Sequence, residues 1–268
     1  MALSGAGRVL ARVKLGIPIL DDLLPEGILR RSMVVIAGDG GVGKSFFVTL
    51  IAASFLERGE KVIYVALDDD PITIVSALES SRMNAMELVR GEELILVDGY
   101  GPRYGVEPES FVKAALQDID PDRILSTVSR ISDEHGMRCS GLLVLDSLNP
   151  LLARYEATRV LDFVNALRAH MAKKRGVLSI ATLHTPTQFY SEVAANLEYM
   201  VDVFVWMQHY REAVAQGYPV KQLLVKKARG VPVQASWIPY MITKEGVIPI
   251  KLRRRAGASE EGKKAETS

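Results

Sequence analysis

Eight consecutive residues fit the pattern G-x-x-x-x-G-K-S/T, and they are the part of this chain best suited to chemistry. Glycines let backbone N–H groups approach phosphate oxygens, and a helix after such a loop favours an anion at its N-terminus. In this pattern the lysine reaches the β- and γ-phosphates, and the serine hydroxyl binds Mg²⁺. The residues are Gly38, Asp39, Gly40, Gly41, Val42, Gly43, Lys44 and Ser45. The sequence predicts a site for ATP or a similar triphosphate with Mg²⁺; the alternative is a glycine-rich turn that binds nothing.

A carboxylate that could complete the Mg²⁺ site follows a run of four apolar residues, 142–145. Asp146 would stand at the tip of a buried strand, where a carboxylate needs a cation or a hydrogen bond to offset the loss of water. A phosphate loop needs such an acid on another strand to hold the metal. We therefore predict that Asp146 binds Mg²⁺ together with Ser45; the alternative role is a helix N-cap.

Three adjacent aspartates follow another apolar run, residues 61–67. Because the carboxyl ends of parallel strands meet the ligand, we expect these acids near the γ-phosphate. Asp70 precedes Pro71 and is typical of a helix N-cap. Asp68 and Asp69 are then candidates to orient or deprotonate the water that attacks the γ-phosphate. The alternative is that all three acids serve the turn and the helix cap.

The elements that would position these residues alternate between strands and helices. Apolar runs rich in β-branched residues predict strands at 33–37, 61–67, 94–97, 142–145 and 177–183. Capped or amphipathic runs predict helices at 46–56, from 71 onward, at 121–135 and at 158–175. The alternation predicts an α/β fold with a mainly parallel sheet covered on both faces. Three more strands near 201–206, 220–225 and 238–243, without long helices between them, predict an antiparallel C-terminal extension.

Composition limits the class of protein. The chain has 268 residues, of which 48% are hydrophobic, and a single cysteine, Cys139, which excludes an internal disulfide framework and suits a reducing compartment. No apolar run is long enough to span a bilayer, so we expect a cytoplasmic protein that does not enter membranes. The net charge of +1 does not indicate nucleic acid as a partner. Residues 1–252 are expected to form one domain, and residues 253–268 a disordered charged tail.

Five further segments, taken in order, resemble the KaiC-like branch of the RecA/RadA ATPase superfamily. LGIPILDDLL at 15–24 is similar to the family's entry segment, and YVALDD at 64–69 to its strand that ends in two acids. LLVLDSL at 142–148 matches the Mg²⁺ strand, VKKARG at 225–230 the "VxKxRG" segment, and ITKEGV at 242–247 the closing segment. With the phosphate loop they span about residues 15–250. The resemblance implies a RecA-like P-loop fold in a single-domain, archaeal member of the family.

The resemblance also implies an ATPase that assembles as a ring, commonly a hexamer, with ATP between neighbouring subunits. In the family, the Lys and Arg of the "KxRG" segment reach the γ-phosphate of the adjacent subunit, and Lys227 and Arg229 match them; a solvated strand end is the alternative. Thr182 and His184 lie where the family senses the γ-phosphate, although a histidine at a strand end is more often a structural residue. The family's paired glutamates are aspartates here, one methylene shorter, so slow turnover is expected.

Two other functions fit the same sequence. Recombinase paralogues use this core to hold single-stranded DNA, and residues 149–159 and 186–191 occupy the loop positions that face DNA in them. These segments contain Arg154, Arg159 and Phe189, and aromatic rings beside cations can stack on bases. Contact with a partner protein or another subunit is the alternative for these segments. The other function is a signalling scaffold whose ring reports ATP occupancy.

Overall fold

The structure is a computed structural model that describes residues 11–233, 235–243 and 246–250. The strands are β1 (Arg12–Val13), β2 (Ile28–Leu29), β3 (Met33–Gly38), β4 (Val62–Ala66), β5 (Leu94–Asp98), β6 (Ala114–Ala115), β7 (Leu142–Asp146), β8 (Leu178–His184), β9 (Val203–His209), β10 (Lys221–Ala228), β11 (Ile238–Thr243) and β12 (Gly246–Pro249). The α-helices are α1 (Pro18–Leu23), α2 (Lys44–Glu57), α3 (Pro71–Ser80), α4 (Ala85–Arg90), α5 (Pro121–Glu134), α6 (Asn149–Leu152), α7 (Ala157–Leu167), α8 (Gln188–Met200) and α9 (Arg211–Val214). A 3₁₀ turn covers Gly101–Tyr104, and a π-helix covers Arg168–Arg175. The tail predicted over 253–268 lies outside the described residues.

Ten strands form one sheet in the order β12-β11-β10-β9-β3-β8-β7-β4-β5-β6. The strands from β9 to β6 in this order run parallel, and β10, β11 and β12 pair antiparallel. Strands β1 and β2 form a separate antiparallel pair. The prediction of a mainly parallel sheet with an antiparallel C-terminal extension is confirmed.

The central strands are buried on both faces, which explains why they read as continuous apolar runs in the sequence. All six residues of β3 are buried. Because side chains alternate along a strand, Val34 and Ile36 pack into the core on one face of the sheet. Val35 and Ala37 pack into a second core on the other face. The sheet is thus held between two apolar layers.

Strand β9 corrects the prediction for the last third of the chain. The sequence predicts that the strand over 201–206 belongs to the antiparallel extension, and this prediction is wrong. Strand β9 pairs parallel with β3, from Val34 opposite Val203 to Gly38 opposite Met207. The antiparallel extension begins one strand later, at β10. The apolar pattern of a strand is the same for either direction, so direction must come from the connecting element.

That connecting element is α8, a helix of 13 residues that the sequence did not predict. Residues 186–191 were expected to be a loop, yet α8 begins at Gln188. Its residues Val193, Ala194 and Leu197 are buried against the sheet. Strands β8 and β9 both run parallel to β3 on its two sides, and a parallel connection needs a crossover that is usually a helix.

Other local predictions are confirmed with small shifts. Asp70 is the N-cap of α3, and its Oδ1 accepts a hydrogen bond from the backbone N of Thr73 at 2.7 Å. The helix predicted over 158–175 begins as α7 and continues as the π-helix up to Gly176, whose φ of 70° suits glycine. None of the helices in the described ranges combines the length and apolar character that crossing a bilayer requires.

Candidate phosphate-binding site

The predicted phosphate loop connects β3 to α2, at the carboxyl edge of the parallel strands. Gly38 has φ of 150°, and a Cβ there would lie 1.7 Å from the carbonyl O of Met207 on β9. Gly43 has φ of 97°, and a Cβ there would lie 2.3 Å from Cδ1 of Ile242 on β11. Position 38 therefore requires glycine because the backbone of β9 approaches it closely, and position 43 requires it because its left-handed backbone strains other residues.

The middle of the loop is open. A Cβ built on Gly40 or Gly41 would meet no other atom within 4 Å. Gly41 has φ of 72°, in the left-handed region that glycine adopts readily. Open space beside a turn of this kind, followed by the N-terminus of the 14-residue helix α2, fits the phosphates of a nucleotide.

Lys44 is a buried cation whose two hydrogen-bond acceptors are backbone carbonyls. Its side chain is buried, with 1% of the residue exposed. Nζ donates to the carbonyl O of Gly38 at 2.9 Å and to that of Asp39 at 2.5 Å. Burial lowers the pKa of Lys44 to about 8, while the charges of Asp39 and Asp146 oppose this shift. An ammonium held in this way is a ready partner for an anion.

Asp146 stands at the end of β7 and receives hydrogen bonds from three hydroxyl groups. Oδ1 accepts from Ser45 Oγ at 3.3 Å and from the hydroxyl of Thr182. Oδ2 accepts from the Tyr64 hydroxyl at 2.9 Å. The N-cap of α6 is Leu148, so the alternative role of Asp146 as a helix cap is wrong. Oxygen atoms of Ser45 and Asp146 are the ligand type that Mg²⁺ prefers, so this pair fits that metal.

Tyr64 is a site residue that the sequence did not predict. It is fully buried on β4, and burial together with the charge of Asp146 raises its pKa well above the ordinary value. The phenol therefore stays protonated and donates to the carboxylate. The signal was present in the sequence, since Tyr64 is the one hydroxyl-bearing residue in the strand VIYVA, but which group it meets depends on the register with β7.

The two candidate acids lie in different surroundings. The Asp68 carboxylate accepts a hydrogen bond from Ser147 Oγ and lies 3.8 Å from Nε2 of His184. The Asp69 carboxylate accepts from the backbone N of Asp70 at 2.9 Å, within its own turn. Asp68 thus lies beside Ser147, which follows β7, and His184, which ends β8. Asp69 stays in the turn that follows β4.

His184 is held at its backbone by Asn149, another residue that the sequence analysis missed. Nδ2 of Asn149 donates to the carbonyl O of His184 at 2.9 Å, and its Oδ1 accepts from the backbone N of His184 at 2.8 Å. Burial lowers the pKa of the His184 imidazole, and the charge of Lys44 lowers it further. Both predicted sensing residues, Thr182 and His184, therefore lie within the polar group around Asp146 and Asp68.

Residues of the last strands support the phosphate loop from the side. His209, at the end of β9, has its Nε2 3.0 Å from the carbonyl O of Gly40, and its backbone N lies 3.3 Å from Oδ2 of Asp39. The buried hydroxyl of Tyr240 on β11 donates to the carbonyl O of Val42 at 2.8 Å. No local motif marks either residue, because each meets the loop only through the order of strands in the sheet.

Lys227 and Arg229 lie where the parallel strands begin, at the end of the sheet opposite the phosphate loop. The backbone N of Arg229 donates to the carbonyl O of Asp202, and the backbone N of Asp202 donates to that of Met33, the first residue of β3. The phosphate loop leaves β3 at its other end, five residues or about 17 Å further on. The structure therefore does not bring Lys227 and Arg229 to the phosphate loop of their own chain.

A β-bulge sets the direction of the lysines in this segment. In the pairing with β9, Val225 lies opposite Val205 and Lys227 lies opposite Phe204. Lys226 is therefore the extra residue of the bulge, with no residue opposite it on β9. Lys227 Nζ donates to the carbonyl O of Glu198 and of Tyr199, both at 2.7 Å. Lys226 Nζ lies 2.8 Å from Glu198 Oε2. Both neighbouring lysines therefore reach the C-terminal turn of α8, which a regular strand would not allow.

The two segments compared above with DNA-facing loops meet in a groove beside the site. The groove has a volume of about 650 Å³ and is lined by Arg154, Tyr155 and Phe189 among others. Arg154 is exposed, and 44% of Phe189 is exposed. Arg159 also lines the groove and forms an ion pair with Asp122 at 2.5 Å. The groove thus combines exposed cationic and aromatic groups.

Comparison with known proteins gives one family. The family described as "ATPase: KaiC" matches residues 13–253. A UPF0273 protein of Thermotoga maritima is 27% identical over 252 residues, covering 90% of this chain and 96% of that protein. The DNA repair protein RadA of Brucella abortus is 26% identical over 221 residues, covering 78% of this chain and 41% of RadA. The crystal structure of a KaiC-like protein from Pyrococcus horikoshii has the same fold, with a TM-score of 0.70 at 20% identity, covering 90% of this chain and 100% of that one.

Proposed function

Because this chain belongs to the family of KaiC-like ATPases, we propose that it binds ATP with Mg²⁺ and hydrolyses it slowly, in a ring that holds ATP between subunits. The observation that carries the proposal is Lys44, a buried ammonium that faces two backbone carbonyls beside an open glycine loop. Within the part of the chain that the structure describes, no carboxylate forms an ion pair with Lys44, and a triphosphate would supply that anion. The charge-assisted contact would be among the strongest in the site.

The proposed roles follow from the contacts around the loop. Backbone N–H groups of the loop and Lys44 bind the β- and γ-phosphates. Ser45 and Asp146 would hold Mg²⁺, and the metal would neutralise charge on the phosphate oxygens. Asp68, close to Ser147 and His184, orients the water that attacks the γ-phosphorus. Asp69 has a weaker claim to this role, since its carboxylate already serves its own turn.

The ring is supported by the position of Lys227 and Arg229. Charge spreads over the γ-phosphoryl oxygens in the transition state, and cations that approach them lower the barrier. Within one chain these two side chains lie at the edge of the sheet opposite the phosphate loop. They can act on a nucleotide only if a neighbouring subunit presents it, so we assign them to the site of the adjacent subunit.

Titration with a non-hydrolysable ATP analogue and Mg²⁺ tests the nucleotide site. Lys44→Ala should weaken binding by roughly 100-fold, because charge-assisted contacts contribute about 1.5–3 kcal/mol each. Lys174→Ala is the matched control, since Lys174 is exposed and precedes β8 at the opposite edge of the sheet. Equal affinity in the Lys44→Ala variant and the control would rule out the proposed site.

Single-stranded nucleic acid is a second candidate ligand, favoured by the groove between residues 152–159 and Phe189. Its exposed Arg154 could contact phosphates, and Phe189 could stack on a base. Arg154→Ala should then weaken binding of a labelled single strand and reduce its dependence on salt concentration. Absence of salt-dependent binding by the wild-type chain would leave the groove to a protein contact.

A further inference from the structure

Four residues form a closed cycle of contacts, through side chains and one backbone segment, at the carboxyl edge of the sheet. Ser147 Oγ donates to the Asp68 carboxylate, and it lies 3.1 Å from Oδ1 of Asn149. The Asn149 amide bonds the backbone of His184, whose Nε2 lies 3.8 Å from Oδ2 of Asp68. The cycle joins residues that follow β4 and β7 to the last residue of β8.

The Asn149 side chain makes the two backbone hydrogen bonds to His184 that a neighbouring strand would make. The ladder between β7 and β8 ends at Leu145 opposite Ala181, and one more backbone bond joins Leu148 N to the carbonyl O of Thr182. Beyond this point the Asn149 amide pairs with both the N–H and the C=O of His184, as a neighbouring strand would. The position of the imidazole is therefore set from the β7 side.

The facing pair, Asp68 and His184, is open to water and close to the phosphate loop. The Asp68 side chain is 38% exposed and that of His184 34%. The charged groups that act on the imidazole are Lys44, Asp68 and Asp146, which are the groups proposed to hold the phosphates, the water and the metal. A proton released in this space would meet the Asp68 carboxylate and the imidazole together.

We propose that Asn149 is a positioning residue that holds His184 against Asp68, so that this pair jointly receives the proton of the attacking water. The inference depends on the ATPase activity proposed above. The water oxygen forms a bond to the γ-phosphorus, and the bond from this phosphorus to the bridging oxygen of ADP breaks. The proton of the water passes to Asp68, which shares it with neutral His184, and then to solvent.

The test compares Asn149→Ala with Asn165→Ala, an exposed asparagine on α7. Asn149→Ala should reduce kcat by about 10-fold, less than the roughly 10²–10⁴-fold contribution of an acid–base group because Asn149 only positions that group, and should leave the Kd of an ATP analogue within about twofold of wild type. The acid limb of the kcat–pH profile should move to higher pH, because burial no longer lowers the pKa of a released His184. Asn165→Ala should change none of these quantities.

A double-mutant cycle with His184→Gln keeps the inference testable if the first variant is unstable. Asn149→Asp keeps the acceptor for the backbone N–H of His184 but loses the donor to its carbonyl O, so it should also reduce kcat in the wild-type background. In the His184→Gln background the same change should have little further effect on kcat, since the residue that Asn149 positions is already lost. Equal effects of the asparagine change in both backgrounds, or an unmoved pH profile, would overturn the inference while the ATPase stands. A wild-type chain that binds ATP but never hydrolyses it would overturn both.

Discussion

At the scale of the residue, the site is held together by hydroxyl groups around one carboxylate. Asp146 accepts from Ser45, Tyr64 and Thr182, which lie on three different elements. A buried carboxylate needs such donors, and they also fix where its oxygen atoms point. The proposed metal ligand is therefore pre-oriented before any metal arrives.

Tyr64→Phe should raise the Mg²⁺ concentration for half-maximal ATPase activity by about 10-fold, because groups that orient a metal ligand contribute on that scale. It should also lower the free energy of unfolding by about 1–2 kcal/mol through the lost hydrogen bond. Activity measured against Mg²⁺ concentration and chemical denaturation would check the two effects. Tyr218→Phe is the control, since 60% of Tyr218 is exposed. An unchanged Mg²⁺ requirement would contradict the orienting role.

The sequence predicted the local geometry that contiguous motifs encode, and it missed the contacts that depend on strand register. The glycines of the phosphate loop and the cap at Asp70 are local features, and the structure places both as predicted. Tyr64, Asn149 and His209 meet partners that lie 35 to 170 positions away in the chain. No pattern within the sequence of one element encodes such a meeting.

At the scale of the element, Asp202 joins β9 to its neighbours. Its carboxylate accepts from Arg168 at 2.8 and 3.0 Å, from Lys173 at 2.9 Å and from the backbone N of Met33 at 3.0 Å. Burial alone would raise the pKa of Asp202, but the hydrogen bonds outweigh it and lower the pKa to about 2. The start of β9, the start of β3 and the π-helix thus share one ionised group.

Asp202→Asn should destabilise the fold by about 2 kcal/mol at pH 7, which corresponds to a pKa lowered from 3.8 to about 2. Because the folded pKa lies below the unfolded one, this stabilisation is complete above about pH 4 and is lost as pH falls towards 2. Urea denaturation of both proteins from pH 7 to pH 3 would measure the difference.

The exposed Asp162 on α7 provides the matched control for this prediction. Asp162→Asn should leave the free energy of unfolding nearly unchanged over the whole range. A difference between Asp202→Asn and wild type that stays constant from pH 7 down to pH 3 would mean that the carboxylate charge is not the stabilising factor.

The sequence predicted most elements but not their connections. Apolar runs identified β3, β4, β5, β7 and β8 within one or two residues. Helix α8 was missed because the aromatic pair at its start, Phe189 and Tyr190, lies in a segment assigned to a loop. Because the sequence does not reveal α8, it gives no basis for predicting the direction of β9. The predicted antiparallel pairing of this strand is therefore wrong.

At the scale of the whole molecule, the two ends of the parallel strands carry complementary parts of the proposed reaction. The phosphate loop, Asp146 and Asp68 lie at the carboxyl ends of these strands, and Lys227 and Arg229 lie near their amino ends. A head-to-tail contact between identical subunits would bring the two parts together, and such a contact closes into a ring when the rotation allows. The mass of the particle with and without Mg-ATP measures whether nucleotide promotes that contact.

Mixing two inactive variants tests whether a site is shared. Asp68→Asn removes the acid proposed to orient the water, and Arg229→Ala removes a cation proposed to act on the neighbour. Each variant alone should hydrolyse ATP at a small fraction of the wild-type rate. An equal mixture should recover about a quarter of that rate, because a quarter of the randomly formed contacts pair an intact acid with an intact arginine.

Native mass spectrometry must show that the two variants exchange subunits. Mixed particles that hydrolyse ATP no faster than either variant alone would argue that Arg229 acts within its own chain or not at all. The same mixture made with Lys174→Ala in place of Arg229→Ala should give at least half of the wild-type rate, since that change lies away from the proposed contact.

The separation of Lys227 and Arg229 from the loop of their own chain also affects how such a protein would respond to its abundance. A solitary molecule would be folded and loaded with nucleotide, yet idle. Turnover per molecule would then climb steeply as copies accumulate and level off once every copy has a neighbour. Cells could thus switch the reaction on by making more of the protein, without any separate activator.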